Sequence, residues 1–519
     1  MRRRGLLPLA SITAATFLTL AVFSAPAAEK TAAYRAAVDA INVDEQFQHV
    51  EILASPAMEG RRPGTPGGDK AADYLAKHFA KCGLKPAGAD GTYLQPFDAK
   101  GITSMQNVLA ILPGSDPKLR DEVIVVGGHY DTFGHGGGKL PKGPLYPGAE
   151  DNASGTATVL QLAKALSKLS PAPKRSILFA CWDAEEWRLL GSTHFVTHPT
   201  VPRERIVAAL NFDMVGQMTE DELFLHCTRS GAGWRRLLSE ANQGEQPLRL
   251  NFTWDFAKNS DHYAFAQHDI PVVFAITGAR GFVHSPRDTA DQVKRESLFR
   301  VSRWSLNALY DLANRVDVPK FRPGALKESS ATEKEMYARS ARPGERVGIA
   351  VIDPPQSDEG VRVVLVKAGT PAAQAGLHTN DEIIGFNDRD IRNPEELLGA
   401  VYTASNPAAM LVKRPGSEQP VELQVRLQGS PIHWTVAGET DDAEPGTVVL
   451  TYILPGSPAA RSGLRVGDRI YRINGQNFAD ESDLIAKMRL RPARLTVERE
   501  GRLRTVTLPS KATPVKKAA

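Results

Sequence analysis

The chain has 519 residues, a length that divides into two to four domains rather than one core. Its hydrophobic share of 42% and charged share of 24% are those of globular protein. A formal net charge of +4 is a small excess on so long a chain, so no nucleic-acid partner is expected.

Residues 1–28 read as a secretory signal peptide. Arg2, Arg3 and Arg4 form a positive start, residues 6–23 are apolar apart from Ser and Thr, and Ala25, Pro26 and Ala27 offer a cleavage site. A retained anchor is the competing reading, and the length rule for spanning helices favours cleavage. The expected location is outside the cytoplasm, periplasmic or secreted. No later segment approaches the roughly 20 apolar residues of a membrane span. Three cysteines, Cys82, Cys181 and Cys227, are too few for a disulfide framework, although one bridge between Cys82 and Cys227 remains open. Cys181 falls in the apolar run 176–182 and reads as a small buried hydrophobe.

Residues 29–316 form the first domain. Its opening part has helical patterning over 70–79 and a Gly/Pro-rich stretch over 60–68. From residue 100 onward, apolar strand-like runs alternate with helical segments, which predicts an α/β layer fold. Residues 317–345 are rich in Pro, Lys, Glu and Ser and read as a linker that few contacts cross, so residues before about 320 are expected to stand alone. An internal repeat follows: Gly369-Thr-Pro-Ala-Ala matches Gly456-Ser-Pro-Ala-Ala, and the likeness runs on to Asp381-Glu-Ile383 and Asp468-Arg-Ile470. Two copies predict a tandem pair of small domains, 346–429 and 430–511, since solenoids need three or more units. Residues 512–519 are a basic, solvated tail.

The chemistry sits where the strands end. His129 and Asp131 follow the run 123–126; Asp183, Glu185 and Glu186 follow 176–180; Asp213 follows 207–212; His284 follows 270–276. Asp151 precedes a helical segment that starts near Ser154. Open α/β sheets place their ligands at that edge. A lone His or Asp after a strand is usually a turn residue, but five or six together are harder to dismiss, a set of two imidazoles and three or more carboxylates without a thiolate. That set suits zinc, and less well manganese or cobalt. In His129-Tyr130-Asp131, alternate residues share a face, so Asp131 can accept a hydrogen bond from the ring N–H of His129 that faces away from a metal. Glu185 and Glu186 point apart, so one can bind metal while the other acts as a base.

Residues 100–310 resemble the co-catalytic zinc aminopeptidases, the family of bacterial secreted leucine aminopeptidases. The resemblance rests on Gly128-His-Tyr-Asp131, Pro147-Gly-Ala-Glu-Asp-Asn-Ala-Ser-Gly155, Trp182-Asp-Ala-Glu-Glu186, Asn211-Phe-Asp-Met-Val-Gly216, Ser260-Asp-His262 and His284-Ser-Pro-Arg-Asp-Thr289. It implies a mixed, mostly parallel sheet sandwiched by helices and two zinc ions per chain. Asp151 bridges the metals, His129 and Asp213 complete one site, and Glu186 and His284 complete the other. Glu185 is the general base, Asp131 its catalytic companion behind His129, and the peptide after Asp151 is cis. The substrates implied are peptides with a free amino terminus. Glu150 departs from the Asp of many relatives. The insertion His135-Gly-Gly-Gly138 reads as a loop over the site, and Tyr263 is a candidate for stabilising the oxyanion. Relatives with the same fold include glutaminyl cyclases and carboxypeptidases, and a binding protein on the same scaffold is a third reading. Retention of both His129 and Asp213 argues against the one-zinc cyclases, and the complete ligand set argues against a dead scaffold.

The repeats resemble the PDZ domains of bacterial periplasmic proteases, small β-rich modules that bind extended peptides along a sheet edge. Residues 347–351 supply an approach strand in the first module. The region 433–438 fits less well in the second, so a peptide or protein ligand is expected chiefly for the first.

Overall fold

The computed structural model describes residues 32–508, apart from 137–139, 245, 279, 340–345, 353–359, 430–435, 454–456, 480 and 489–491. The signal segment and the basic tail lie outside the described residues. In the first domain the strands are β1 (Lys85–Pro86), β2 (Leu94–Ala99), β3 (Ile102–Leu112), β4 (Val123–His129), β5 (Ser176–Trp182), β6 (Ile206–Phe212), β7 (Glu222–His226), β8 (Gly231–Ala232), β9 (Arg249–Phe252), β10 (Val272–Ile276) and β11 (Lys320–Phe321). Nine of them form one sheet in the order β1-β3-β5-β4-β6-β10-β7-β9, with β2 alongside β3. The central strands β5, β4, β6 and β10 are parallel, and β3 and β7 flank them antiparallel.

Alternation along the central strands explains the layers. Ile124, Val126, Ile177, Phe179 and Cys181 pack into one core with the helices Val43–Leu53, Pro66–Lys81, Gly155–Ser167 and Arg295–Asn314. Val123, Val125, Leu178, Ala180 and Trp182 face the other way, against the helices Leu190–Thr197 and His262–Ala266. Strands buried on both faces read as continuous apolar runs, as these do. All three cysteines are free thiols, and Cys181 is fully buried.

The repeat folds as two β-rich modules. The first holds β12 (Ile349–Ile352), β13 (Val361–Val366), β14 (Glu382–Phe386), β15 (Arg389–Asp390), β16 (Ala408–Lys413) and β17 (Val421–Val425). The second holds β18 (Val436–Thr440), β19 (Val448–Ile453), β20 (Arg469–Ile473), β21 (Ala493–Arg499) and β22 (Arg502–Leu508). The repeated motif has a local cause. Pro371 and Pro458 start matching short helices, where the missing N–H is harmless. Asp381 and Asp468 each close the following turn, accepting the N–H of His378 and of Arg465, both at 2.8 Å. β12 and β18 are edge strands of their sheets.

Of the segment read as a linker, the described residues 317–339 pack against the body. β11 pairs with β8, Glu328 takes both Arg229 and Arg322, and the helix Ser330–Arg339 brings Met336 against Trp254 and Val449. Its polar composition reflects these ion pairs rather than a free tether.

The second module is bolted onto the first domain. Its Glu444 accepts the N–H groups of Arg235 and Arg236 (2.8 and 3.1 Å) and so caps the helix Trp234–Ala241 from outside. Glu498, fully buried, holds Arg235 through two oxygens (2.8 and 3.1 Å). The turn between β21 and β22 covers the edge strand β9: the N–H of Leu250 donates to the carbonyl of Glu500 at 2.9 Å. An uncovered edge strand is a template for aggregation. The two modules meet at Tyr402 and Tyr452, whose ring centroids lie 5.5 Å apart.

Candidate active site

Parallel strands end side by side, so the polar residues that follow them gather at one edge. His129 is the last residue of β4 and pairs in register with Trp182 of β5. Glu185 and Glu186 lie just beyond β5, Asp213 just beyond β6, and His284 in the loop after β10. Asp151 enters from the turn ahead of the helix Gly155–Ser167, and its peptide bond to Asn152 is cis. Close backbone approach requires glycine here: a Cβ on Gly128 would stand 2.7 Å from the Phe212 carbonyl oxygen, and one on Gly155 only 2.2 Å from it.

The side chains form two groups of three that share Asp151: His129, Asp151 and Asp213, then Asp151, Glu186 and His284. His129 Nε2 lies 3.2 Å from Asp151 Oδ1 and 3.5 Å from Asp213 Oδ1. His284 Nε2 lies 2.8 Å from Asp151 Oδ2 and 3.2 Å from Glu186 Oε1. Nitrogen and oxygen ligands of one tetrahedral zinc, each at 2.0–2.2 Å, stand about 3.3 Å apart. His129 Nε2 and Asp213 Oδ1 of the first group and Glu186 Oε1 of the second are buried without a well-directed hydrogen bond among the described residues. Buried polar atoms are normally satisfied, so donors gathered at ligand spacing and left without proton partners fit a cation in each group.

The charges fit the same reading. Burial opposes the Asp151 charge, yet the imidazoles of His129 and His284 outweigh it and hold the carboxyl below its ordinary range. Burial, then the neighbouring Asp151, pushes Glu186 up to about 8. His284 is raised to about 10 by its bonds to Asp151 and Glu186. Glu185 is pushed well above the usual carboxylate value by burial. Its Oε2 lies 3.8 Å from His129 Nε2, and its backbone N–H donates to Asp131 Oδ1 at 2.9 Å. Perturbed acids concentrated in one place mark functional sites.

Asp131 presents two oxygens to His129 Nδ1. The closest acceptor to His129 Nδ1 is the main-chain carbonyl of Asp131, at 3.2 Å, while the carboxylate Oδ1 stands 3.5 Å away and takes the Glu185 N–H. The turn after β4 brings the carbonyl inward first, so Asp131 orients both His129 and the backbone of Glu185. Tyr263 is not gathered into either group: its hydroxyl accepts from Gln267 Nε2 at 2.9 Å and Lys258 lies over its ring. Phe133, at the start of the glycine-rich insertion, packs edge-on against His284 with centroids 5.0 Å apart. Residues 137 and 138 of that insertion lie outside the described residues.

Several supporting residues carried no role in the sequence reading. Asp288 accepts the backbone N–H groups of Glu150 (2.7 Å) and Asp151 (3.1 Å), and burial raises it to about 6. Ser260 donates to Asp213 Oδ2 at 2.7 Å and accepts from Asn211 at the same distance. Asn152 donates to the Phe212 carbonyl (2.9 Å) and accepts from Gly155 and Met214. Glu150 Oε1 accepts the N–H of Gly216 at 3.0 Å. All four fell inside the matching motifs, and motif membership was the available signal. Arg61, wholly buried, lay in a stretch read only as turn composition.

A shared-ligand site of imidazoles and carboxylates at the strand ends of an α/β sheet is the signature of a metallohydrolase class. The model of peptidase family M28 matches residues 107–309, and PDZ domain models match 327–425 and 449–499. Residues 107–309 are thus similar to peptidase family M28, and the segments C-terminal to them are similar to PDZ domains. Leupeptin-inactivating enzyme 1 of Streptomyces exfoliatus is 31% identical over 197 residues, 38% of this chain and 40% of that protein. Aminopeptidase YwaD of Bacillus subtilis is 29% identical over 227 residues, 41% of this chain and 46% of that protein. The chain thus spans less than half the length of these curated relatives. The LapA aminopeptidase structure of Legionella pneumophila aligns at 23% identity with a TM-score of 0.45, over 54% of this chain and 75% of that one.

Proposed function

We propose that the chain is an exported metallo-aminopeptidase holding two zinc ions, with Glu185 as its general base. The observation that carries the reading is the pair of three-donor groups joined by Asp151, with Glu185 beside them and in neither. His129, Asp151 and Asp213 would hold one ion, and Asp151, Glu186 and His284 the other. Bound zinc lowers the pKa of coordinated water and polarises a carbonyl oxygen. Glu185, raised by burial and fixed through its N–H to Asp131, receives the proton of the attacking water and returns it to the leaving amine. Ser260 holds Asp213, and Asp288 holds the Asp151 backbone, so the donors are pre-set before substrate arrives. Carboxylates outnumber imidazoles at this edge, which favours a substrate that brings a positive amino terminus. The names of the relatives, aminopeptidases among them, support the reaction class.

The apolar and arginine-led segment 1–28 supports export, and no helix of the described residues is long and apolar enough to cross a membrane. In the first PDZ module the β12 edge is the place for an extended peptide.

The deciding experiment counts metal per purified chain and assays paired peptides. Two zinc ions, cleavage of a free-amino peptide and none of its N-acetyl form are expected. Release of the C-terminal residue from the blocked peptide would make the chain a carboxypeptidase. Conversion of an N-terminal glutamine to its lactam would make it a cyclase. Two metals with no turnover would leave a binding scaffold. Asp151→Asn is expected to loosen both metals together.

A further inference from the structure

Arg61 is unusual on two independent counts. Its backbone is left-handed at φ 46°, directly after Glu59 at 51° and Gly60 at 65°. A non-glycine residue there is uncommon and held against a local penalty. Its side chain is also fully buried, where a guanidinium belongs only if its donors are met. They are met by carbonyl oxygens alone. Nε donates to Tyr130 at 2.5 Å, one terminal nitrogen to Leu53 and to Pro147 (2.7 Å), and the other to Gly148 (2.8 Å).

Those carbonyls define what Arg61 joins. Tyr130 lies between His129 and Asp131. Pro147 and Gly148 open the turn that delivers Asp151. Leu53 ends the helix Val43–Leu53, a fixed point in the core. One rigid, planar fork therefore ties the His129 turn to the Asp151 turn, and both to the body. Nothing in that role needs a carboxylate partner, so the positive charge stays available to the acids around it. Burial lowers the guanidinium to about 10, and Asp288, Asp131, Asp151 and Glu186 act against that fall. The strained turn has support from outside as well: the N–H of Gly134 donates to the Gly60 carbonyl at 3.1 Å, and a Cβ at residue 60 would meet Tyr146 O at 2.7 Å.

We infer that Arg61 is a positioning residue of the metal centre: its guanidinium sets the distance between the His129 and Asp151 turns and so the affinity for the ion that those two residues share. The inference rests on the two-metal reading given above. Arg61→Lys keeps the charge but loses the fork, and Arg61→Met loses both. Metal affinity is measured by chelator competition in the full chain, alongside the absorption spectrum of the cobalt-substituted protein and its thermal midpoint. The wild type is the control for the reading: if it binds no pair of metals, that reading falls and Arg61 is not tested by the comparison of affinities but by the cobalt-independent readout, the protection of the Tyr130 and Gly148 segments from hydrogen exchange, which both variants are expected to lose. With two metals in the wild type, Arg61→Lys is expected to fold, to bind one ion about 10- to 100-fold more weakly, the usual scale for a residue supporting a ligand, and to shift the cobalt spectrum. A variant that loses thermal stability but binds both metals as tightly as wild type, with an unchanged cobalt spectrum, overturns the inference and leaves Arg61 a core brace.

Discussion

Two regions of this molecule bury charge, and they do so in opposite ways. At the strand ends, carboxylates crowd one another, their protonation is pushed upward, and donors face each other without well-directed bonds. At the seam between the peptidase domain and the second PDZ module, Glu444 takes only backbone N–H groups, but Glu498 and Asp441 each meet an arginine side chain. Glu498 takes Arg235 bidentately, and Asp441 takes Arg229 at 2.8 Å while Arg229 lies 3.5 Å over the ring of Trp254. Burial works against the charge of Glu498 and of Asp441, but the arginines outweigh it and hold both carboxyls below their ordinary values. A buried ion pair with its partners complete is architecture. A buried cluster whose charges do not balance is a place prepared for something that arrives later. The same residue types therefore carry different meanings, and the test is whether their neighbours satisfy them.

The sharpest way to break this contrast is to neutralise one acid in each region. Glu185→Gln is expected to lower kcat by about 10²- to 10⁴-fold, the scale of a lost acid–base group, with metal content and thermal midpoint unchanged. Equal loss of zinc from Glu185→Gln and Asp151→Asn would show that Glu185 is a ligand. Glu498→Ala should do the reverse, removing about 3–5 kcal/mol of stability by stranding Arg235, while turnover per folded molecule stays the same. Denaturant unfolding and active-site titration read the two quantities separately. A chain ended after Arg322 removes Glu328, Asp441, Glu444 and Glu498 at once and bares β9, so it should aggregate rather than survive as a free enzyme. Normal small-substrate turnover by that soluble fragment would reduce the seam to a packing contact.

Asp288→Asn should have a smaller effect, because an amide can still accept one of the two backbone N–H groups. A loss of about 10-fold in metal affinity is expected, and unchanged affinity by chelator competition would move Asp288 out of the supporting shell. Near neutral pH the smallest effect is that of the buried histidines. His49, lowered to about 3 by burial and then by its neighbour His78, stays neutral in the folded chain while the unfolded chain takes a proton near 6.5. Its contribution to stability is complete above pH 6.5 and is lost as the pH falls toward 3, by about 1.4 kcal/mol per unit. The depressed carboxyl of Glu498 contributes above its ordinary value of 4.5 and is lost only below it. Midpoints measured against pH should therefore begin to fall near 6.5, a limb that His49 shares with His262, also lowered to about 3 by burial. His49→Phe should make that limb shallower without abolishing it, and a limb of unchanged slope would show that His49 contributes nothing to it.

How much of this was legible depends on how local the cause was. The choice of His129, Asp151, Glu186, Asp213 and His284 among the polar residues at the strand ends came from the motif resemblance, whereas the layers followed from apolar runs with polar ends, because a parallel sheet puts those ends together whatever the loops do. Cys181 was readable for the same reason. Arg61 was not, since an arginine in a glycine-rich turn looks solvated until the turn is known to fold inward. The linker reading failed at Glu328 and Met336 because composition cannot say whether a polar segment meets partners. The docking of the second module was invisible too: Glu444 and Glu498 have no periodic signature, and their arginines lie more than two hundred residues earlier in the chain.

One consequence of the seam concerns the first PDZ module. The chain leaves the peptidase body at the helix that seats Met336 on Trp254, passes through the first module, and returns to the same body where Asp441 meets Arg229. The module is thus a closed loop with both feet on one platform. A ligand that docked along β12 would thereby be held near the same platform from two points of attachment, which raises its local concentration there.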